Sequence, residues 1–478
     1  MKPRPWHFVV ALIARLCWAW WFWGIGTGEP GGVHEGRFIF DTQSYLGSIE
    51  SLLAGNGYDP DLRMPGYGAP YFLLRQLFDR DGAILGMLTL QVLLGALATV
   101  LLAGIAGKLT GSRALFLGVF WIAAISPTPA EYDMHLLTET FTIATMVIGA
   151  WALFRYAQAG HARWLLLSGA MICWATFLRP ASGLLLPVFV LIAWRSRPAS
   201  WPVRLKHALV FALPFLLFDG AWMLRNQNVH GVPRPLTNGF YERETEFQPF
   251  FPVMRLVMAY GGYYVWWDPK SDIQWFIGRE WKDGKMAAVD GADPRVPEAI
   301  MNDAFNRDSL ELVARDYHRA ANAASSVHER DSLFAAVRLR CDAYREALMR
   351  ERPFQYHVAA RWRMLKAFLW HSGTETVFPV SFSAMGFVGK ATKLLFSGIF
   401  LFGLLGGLLA SIWWLCGSRS ALEKLVPLIV IAGVLVYPWG FRVTEYRYLV
   451  TVWPFAMMMA CWALCSMVAF HRARKALS

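Results

Sequence analysis

The chain has 478 residues, of which 56% are hydrophobic and 17% are charged, and its formal net charge is +12. A soluble domain typically has about 25% charged residues, so this composition excludes an ordinary soluble protein and indicates a polytopic membrane protein. The basic residues form no patch with groove-reading spacing, so nucleic acid is not expected as a partner. The apolar segment that begins at Trp6 is interpreted as a retained membrane helix rather than a cleaved signal peptide.

Ten apolar segments approach the length of a membrane span, for which about 20 apolar residues are needed. They cover residues 6–26, 84–107, 114–127, 136–154, 164–178, 181–194, 207–222, 391–416, 425–440 and 448–470. With the N-terminus inside, every inside loop is basic and nearly free of acidic residues, as the positive-inside rule requires. The sequence therefore predicts an all-α membrane protein with about ten transmembrane helices.

The predicted outside segments carry nearly all of the Asp and Glu residues, and they divide the chain into three parts. These are an N-terminal membrane module (1–222, with its first outer loop at 27–83), an outer insertion that is helical in its second half (223–390), and C-terminal membrane helices (391–478). In the first outer loop we expect a surface helix that stops at Gly55-Asn56-Gly57 and a second, amphipathic helix. Two helices of the insertion are expected to start with Asp-Ser caps.

Charged side chains gather at the predicted outer edge of the membrane, where charge is costly and a functional role is the default hypothesis. They are Asp41, Arg63, Glu131, Asp133, His135, Glu139, Arg179, Asp219, Arg225, Glu445 and Arg447. Interfacial anchoring by arginine is the alternative. A carboxylate can deprotonate an acceptor, and guanidinium groups bind phosphate in bidentate fashion. This combination favours transfer of a sugar from a polyprenyl phosphate to an acceptor outside the cytoplasm.

Several of these residues have a second interpretation. Asp41 could cap the surface helix instead of acting as a base, and Tyr45 lies one turn further on the same side. His135 and Glu139 are also one turn apart and could bind a divalent metal ion with Asp133 or His34 as a third ligand. The alternative for them is a polar lining of the acceptor groove. No cofactor other than such a metal ion is predicted.

Six short motifs occur in chain order on the predicted outer side. They are FDTQSY (from residue 40), LRMPGYGAPYFLL (from 62), LLTETF (from 136), FLRPASGLLLP (from 177), AWMLRNQNVHGVPRPLTNG (from 221) and EYRYLVTVWPF (from 445). Taken together they resemble the GT-C membrane glycosyltransferases, in particular bacterial relatives of the protein O-mannosyltransferases, of the lipid A aminoarabinose transferase and of rhizobial galacturonosyltransferases. The resemblance covers about residues 1–240 and 390–470.

The resemblance implies a GT-C fold and a one-step, inverting transfer with Asp41 as the general base and Glu139 in the second acidic position. Donor-phosphate binding is implied for Arg63, Arg225 and Arg447. The residues expected to line the cavity are Tyr45, Tyr67, Asp133, His135, Arg179 and Glu445. Thr42 stands where many relatives have Glu, so this loop lacks a second carboxylate, and Glu139 could supply it.

The resemblance further implies a polyprenyl-phosphate-linked sugar as donor and a glycan, lipid or protein of the cell envelope as acceptor, with lipopolysaccharide among the candidates. The expected location is the inner membrane, among its lipids, with the site on the extracytoplasmic side. Two other functions remain open at this point. An O-antigen ligase or polymerase would rely on Arg and His of a late outer loop, for example His318 or His328. A flippase or transporter of lipid-linked sugars would typically show symmetrical halves, which the sequence lacks.

Overall fold

The computed structural model describes most of the chain, and the described part is built almost entirely of helices. The described residues are 3–26, 40–59, 63–196, 200–236, 250–265, 271–278, 280–282, 285–287, 296–302, 305–371, 373–374, 377–378, 381–417 and 420–477. Within them, one antiparallel pair of three-residue strands is present, β1 (Glu280–Lys282) and β2 (Lys285–Ala287). The predicted helical membrane architecture is confirmed, with this small hairpin as an addition.

Ten α-helices precede Gly231 in the described residues. They are α1 (Pro5–Gly26), α2 (Phe40–Leu53), α3 (Gly68–Arg75), α4 (Arg80–Thr110), α5 (Arg113–Ile125), α6 (Pro127–Glu131), α7 (Glu139–Ala159), α8 (Ala162–Leu178), α9 (Leu186–Arg195) and α10 (Trp201–His230). A 3-10 helix, Pro180–Leu185, leads into α9.

Ten more α-helices follow in the described part of the chain. They are α11 (Phe251–Tyr260), α12 (Ile273–Ile277), α13 (Arg307–Asn322), α14 (Val327–Glu351), α15 (Ala360–Leu369), α16 (Phe387–Leu401), α17 (Gly407–Cys416), α18 (Leu425–Leu435), α19 (Arg447–Val450) and α20 (Trp453–Leu477). π-helical turns precede α15, join α16 to α17 and follow α18. The remaining 3-10 helices are Glu298–Ile300, Phe382–Ala384 and Leu422–Lys424.

Helices occupy most of each of the ten apolar segments that the sequence predicted to cross the membrane. By length and composition, five helical stretches among the described residues could span a bilayer: Arg80–Thr110, Glu139–Ala159, Trp201–His230, Phe387–Cys416 and Leu422–Phe441. Shorter apolar helices lie at Arg113–Ile125, Ala162–Leu178, Pro180–Arg195, Phe251–Tyr260 and Trp453–Ala469. A polytopic membrane protein is therefore confirmed, and the number of ten crossings stays a prediction.

The chain divides into two compact units. The first contains Met1–Gly239, Ser372–Val434 and Arg447–Ser478, and the second contains Phe240–His371 and Leu435–Tyr446. In the first unit, α7 packs against α4 and α8, and α8 also packs against α10. Helices α17 and α20 of this unit approach each other closely. A Cβ atom on Gly407 would lie 2.0 Å from the carbonyl oxygen of Ala456.

The second unit has its own hydrophobic core, which includes Val253, Leu256, Phe276, Val313 and Val337. Its helices α13 and α14 are capped by the side chains of residues that directly precede them. Asn306 accepts from the backbone N–H of Ser309 at 3.1 Å, and Ser326 accepts from that of Glu329 at 3.1 Å. The Asp-Ser caps predicted for these helices are therefore wrong, because each helix starts earlier, where a free oxygen can reach the N–H groups of the first turn.

The first outer loop forms the two helices that its sequence predicted. Helix α2 ends at Leu53, and Gly55 and Gly57 follow with φ angles of +82° and +80°, a region that glycine adopts without steric cost. Helix α3 is the short second helix. Asp41 lies inside the first turn of α2, so it is not the residue that precedes the helix, and its carboxylate is directed to other partners.

Candidate active site

Helix α2 is held against α3 by one close approach and one charged cluster. A Cβ atom on Gly68 would lie 2.8 Å from the side chain of Ile49, so the two helices pack closely at that point. Beside it in the sequence, the carboxylate of Glu50 accepts from Arg75 Nε at 2.9 Å and from the hydroxyl of Tyr71. These contacts fix the orientation of the helix that carries Asp41.

The turn that follows Arg63 is held against the end of α8. A Cβ atom on Gly66 would lie 2.4 Å from the carbonyl carbon of Phe177, so only glycine fits there. The indole N–H of Trp174 donates to the carbonyl oxygen of Gly66 at 2.9 Å. The hydroxyl of Tyr58 donates to the carbonyl oxygen of Arg63 at 2.9 Å. The backbone that carries Arg63 is therefore fixed on both sides.

The carboxylate of Asp41 lies between two arginines. Arg63 Nη2 lies 2.9 Å from Asp41 Oδ1, and Arg447 Nη2 lies 2.6 Å from Asp41 Oδ2. The side chain of Asp41 is 23% exposed, that of Arg63 is 39% exposed, and that of Arg447 is 16% exposed. Each carboxylate oxygen thus has its own guanidinium partner, in a cluster that solvent can still reach.

Neighbouring side chains of the FDTQSY motif complete this cluster. Arg63 Nε donates to Ser44 Oγ at 3.1 Å, and the Arg63 guanidinium lies 5.1 Å from the centre of the Tyr45 ring. Thr42 is buried, and its hydroxyl donates to the carbonyl oxygen of Leu136 at 3.2 Å. Thr42 therefore joins α2 to the segment that leads into α7.

Electrostatics around Asp41 favour its ionised form. Burial is the largest single influence and raises the pKa, but the charges of Arg447 and Arg63 together with the Arg447 hydrogen bond outweigh it. Arg179 adds a smaller effect in the same direction as the other two arginines. The pKa of the Asp41 carboxyl is consequently lowered, and the group is a carboxylate at neutral pH.

Glu139 and Arg179 form a buried pair beside this cluster. Arg179 Nη2 pairs with Glu139 Oε1, and Arg179 Nε donates to Thr138 Oγ1 at 2.9 Å. The Arg179 guanidinium lies 4.7 Å from the centre of the Tyr448 ring, and that of Arg447 lies 5.5 Å from it. Tyr448 is thus the shared neighbour of the two arginines. The positive charge of Arg179 also acts on Asp41, where it helps to lower the pKa of the carboxyl group.

Tyr45 and Tyr67 are buried neighbours, with ring centres 5.4 Å apart. The Tyr67 hydroxyl donates to Gln91 Oε1 at 2.8 Å, and burial raises the pKa of Tyr67 well above the ordinary value. Gln91 Nε2 in turn lies within hydrogen-bonding distance of three carbonyl oxygens, those of Tyr132, Asp133 and His135. Gln91, which the sequence did not single out, therefore ties the turn before α7 to the first outer loop.

The three residues predicted as metal ligands have separate partners. Asp133 is buried and pairs with Arg15 at 3.0 Å, His135 Nε2 lies 3.4 Å from Glu131 Oε1, and Glu139 pairs with Arg179. Within the described ranges, no group of three His, Cys, Asp or Glu side chains could hold a metal ion. Both carboxylates of the predicted set already neutralise buried arginines, so they do not fit a shared divalent ion. His34 lies outside the described residues.

The pairing of Asp133 with Arg15 gives the arginine of the first apolar segment its partner. Arg15 is 5% exposed and Asp133 is 1% exposed. Arg15 Nη2 also lies 3.4 Å from Thr99 Oγ1, and the Thr140 hydroxyl donates to Asp133 Oδ1 at 2.8 Å. Asp133 is thus part of a network that joins α1, α4 and α7, and its place in the lining of the cavity stays a prediction.

The remaining predicted residues are Arg225, which lies beside aromatic rings, and Glu445. The Arg225 guanidinium lies 4.8 Å from the centre of the Trp222 ring and 5.7 Å from that of Tyr58, the residue that contacts the backbone of Arg63. Tyr58 therefore lies between Arg225, which contacts its ring, and the backbone of Arg63, which accepts its hydrogen bond. Glu445 belongs to the second unit. In that unit the ring of His318 packs at Gly278, where a Cβ atom would lie 2.3 Å from it, and burial lowers the pKa of His318.

Comparison with known proteins relates this chain to a protein family and to a solved structure. Residues 69–222 match the family model described as dolichyl-phosphate-mannose-protein mannosyltransferase. A sequence search of curated proteins gives no match. The archaeal oligosaccharyltransferase AglB from Archaeoglobus fulgidus, solved with an inhibitory peptide and a dolichol-phosphate, aligns with 12% identity and a TM-score of 0.46. The alignment covers 99% of this chain and 52% of AglB, so the chain spans about half the length of that enzyme.

The family match extends from Ala69 to Trp222 and contains two of the six sequence motifs in full and parts of two others. It includes α4, α7 and α8, together with Glu139 and Arg179. The family match agrees with the resemblance to the GT-C membrane glycosyltransferases over residues 69–222.

Proposed function

We propose that this chain transfers a sugar from a polyprenyl-phosphate donor to a hydroxyl or amine of an acceptor outside the cytoplasm. The observation that carries the proposal is the Asp41 carboxylate held between the guanidinium groups of Arg63 and Arg447. One carboxylate and two arginines supply a base and a phosphate site within one cluster.

The two arginines can exchange one anion for another. A donor phosphate presents the same pair of oxygens to a guanidinium as a carboxylate does, and it can compete with Asp41 for Arg63 and Arg447. The partial exposure of the Arg63 side chain, at 39%, leaves room for that exchange. When the arginines turn toward the phosphate, the Asp41 carboxylate loses its stabilising charges and becomes a stronger base.

The proposed reaction is a single displacement at the anomeric carbon of the sugar. The acceptor oxygen or nitrogen forms a bond to that carbon from the face opposite the phosphate, and the bond between the carbon and the phosphate oxygen breaks. The acceptor proton passes to Asp41, and the departing phosphate keeps the electron pair of the broken bond. Because the attack comes from the face opposite the leaving group, the configuration at the anomeric carbon inverts. Arg63 and Arg447 stabilise the negative charge that develops on the leaving group.

Glu139 has a supporting role in this proposal rather than that of a second base. Its carboxylate is fully buried and paired with Arg179, which orients the Arg179 charge toward Asp41 and the ring of Tyr448. Arg225 lies next to Tyr58 and is proposed to extend the positive surface available to the donor phosphate. No step is assigned to a metal ion, because His135, Glu139 and Asp133 do not share one site.

The proposed position of the site at the membrane edge supports the proposed donor and acceptor classes. A polyprenyl phosphate keeps its leaving group at the membrane edge, and the positive-inside pattern favours a first outer loop on the extracytoplasmic side of the inner membrane. The proposed acceptor is a glycan, lipid or protein of the cell envelope. Lipopolysaccharide is one such acceptor that a bacterial inner-membrane enzyme could modify.

The test is a transfer assay with the full chain in nanodiscs, a panel of labelled polyprenyl-phosphate sugars and a cell-envelope extract as the acceptor. We expect transfer from at least one donor and a loss of about 100-fold or more with Asp41→Asn, the range found for removal of a general base. Asp59→Asn is the matched control, because Asp59 is exposed in the same loop. Undiminished transfer by Asp41→Asn would contradict the proposed role of Asp41.

A further inference from the structure

The second unit contains a basic cavity that the proposed transfer does not use. Its volume is about 300 Å³, and its lining includes Arg255, Arg345 and Arg442 together with Glu346 and Tyr356. Met258 and Met349 add an apolar wall. Ligand sites start at roughly this volume, so the cavity is large enough for a group of monosaccharide size.

Arg442 forms the structural floor of this cavity. Its guanidinium donates to the carbonyl oxygens of Met258 and Ala259 at 3.1 Å each and to that of Tyr356 at 2.8 Å. It also lies 3.8 Å from the centre of the Tyr356 ring. The Arg442 backbone has a φ angle of +57°, a left-handed conformation that non-glycine residues rarely adopt. These contacts hold Arg442 in that conformation. They also supply hydrogen-bond donors to carbonyl oxygens in the last turn of α11.

The other arginines leave the cavity with an excess of positive charge. Arg345 pairs with Asp342 of its own helix at 3.3 Å, whereas no carboxylate partner is found for Arg255 in the described part of the unit. Burial above all lowers the pKa of Arg442, and the positive charges of Arg361 and Arg345 act in the same direction, while Tyr356 opposes them. Arg361 Nε is buried with no hydrogen-bond partner among the described atoms.

The balance of charge identifies the class of ligand. The cavity lining has three arginines and one glutamate, and just outside it Asp342 pairs with Arg345 while Arg361 adds a positive charge near Arg442. Together these side chains have a surplus of two positive charges. A phosphate monoester carries about −1.5 to −2 charges at pH 7, so it matches that surplus, and a carboxylate matches only half of it. Arginine forks suit phosphate geometry, and the Tyr356 ring and the methionines can contact an attached sugar or chain.

We infer that this cavity is a binding site for a phosphate monoester, with Arg255 and Arg345 as its principal ligands and Arg442 as its fixed floor. The monoester could be part of a phosphorylated saccharide or the head group of a membrane lipid, since both present the same oxygens. The inference concerns residues of the second unit alone and does not depend on the reaction proposed for Asp41.

The test measures binding to the full chain in phosphatidylcholine nanodiscs by isothermal titration calorimetry. The probes are glucose 6-phosphate, with glucose and glucose 6-sulfate as neutral and monoanionic controls, and vesicles that contain phosphatidic acid or only phosphatidylcholine. We expect the phosphate monoester to bind more tightly than both sugar controls. Arg255→Gln and Arg345→Gln should each weaken it by about 10-fold or more, since each loses a charge-assisted hydrogen bond.

Arg338→Gln is the matched control, because Arg338 lies exposed on the same helix as Arg345, outside the cavity lining, and carries the same charge change. Arg345→Lys keeps the charge without the planar fork and should bind with intermediate affinity. Melting curves show that each variant is folded.

A dependence on Arg255 and Arg345 with the sugar phosphate assigns a saccharide ligand, and the same dependence only with phosphatidic acid assigns a lipid. Absence of binding to either probe, or equal weakening by Arg338→Gln, overturns the inference.

Discussion

Arg447 Nη2 lies 2.6 Å from Asp41 Oδ2, although the two residues come from opposite ends of the chain. Arg63 holds the other carboxylate oxygen at 2.9 Å. The base proposed for the reaction is therefore neutralised by the same arginines that are proposed to bind the donor phosphate. This shared use of two guanidinium groups leads to the first two predictions.

The first prediction concerns the pH dependence of transfer. In the donor-free protein the pKa of Asp41 is lowered, so its carboxylate persists below the ordinary aspartate value of about 3.9 and is lost only as the pH falls through the lowered pKa. A bound donor phosphate withdraws the arginines and should raise that pKa. Because kcat/KM reports the free enzyme and kcat the complex, we expect the acid limb of kcat at a higher pH than that of kcat/KM.

The measurement is a pair of pH profiles at saturating and limiting donor, with activity rechecked after return to neutral pH to exclude denaturation. A phosphodiester donor does not titrate in this range, so the limb belongs to the protein. If the acid limbs of kcat and kcat/KM fall at the same pH, or if that of kcat falls at a lower pH, the donor phosphate does not replace Asp41 as the partner of the two arginines.

The second prediction concerns Arg447. Arg447→Gln removes a charge-assisted hydrogen bond from the proposed phosphate site, and we expect kcat/KM for the donor to fall by about 10- to 100-fold. The same change should raise the pKa of Asp41, because Arg447 is the largest of the charges that lower it. Arg80→Gln, an exposed arginine at the start of α4, should leave both quantities unchanged. An unaltered donor dependence in Arg447→Gln would exclude it from the phosphate site.

The third prediction concerns the buried pair of Arg15 and Asp133. Breaking such a pair leaves an uncompensated charge and costs about 3–5 kcal/mol, whereas replacing both partners with apolar residues is often neutral. We expect Arg15→Met and Asp133→Leu each to lower the melting temperature strongly and the double variant to recover most of the loss. Thermal unfolding of the three variants in one detergent measures the coupling. Additive losses in the double variant would mean that the two side chains do not interact as a pair.

The fourth prediction concerns the turn that carries Arg63. Gly66→Ala places a Cβ atom 2.4 Å from the backbone of Phe177, and such overpacking costs about 1–3 kcal/mol. We expect a lower melting temperature and a loss of transfer, since the turn that positions Arg63 must move. Gly118→Ala is the control, because a Cβ atom there meets nothing within 4 Å. A Gly66→Ala variant as stable and active as Gly118→Ala would show that the close approach does not matter.

The sequence by itself determined the class of the protein. Apolar length and the placement of basic residues predicted a helical membrane protein, because burial in lipid requires long apolar helices whatever their neighbours are. The short signals of the first outer loop predicted its two helices, since Gly55 and Gly57 end a helix through local backbone geometry alone. The motifs, read in order, predicted the resemblance that the family match over residues 69–222 confirms.

Only the tertiary structure decided which charges meet. Helical spacing in the sequence predicted that Asp133, His135 and Glu139 lie together. In the structure Asp133 forms an ion pair with Arg15, and Glu139 forms one with Arg179. The tertiary structure also made Gln91 the connection between Tyr67 and three backbone carbonyls. Periodicity along the chain constrains neighbours within one or two turns, but an ion pair depends on distance in space, which the packing of helices far apart in sequence sets.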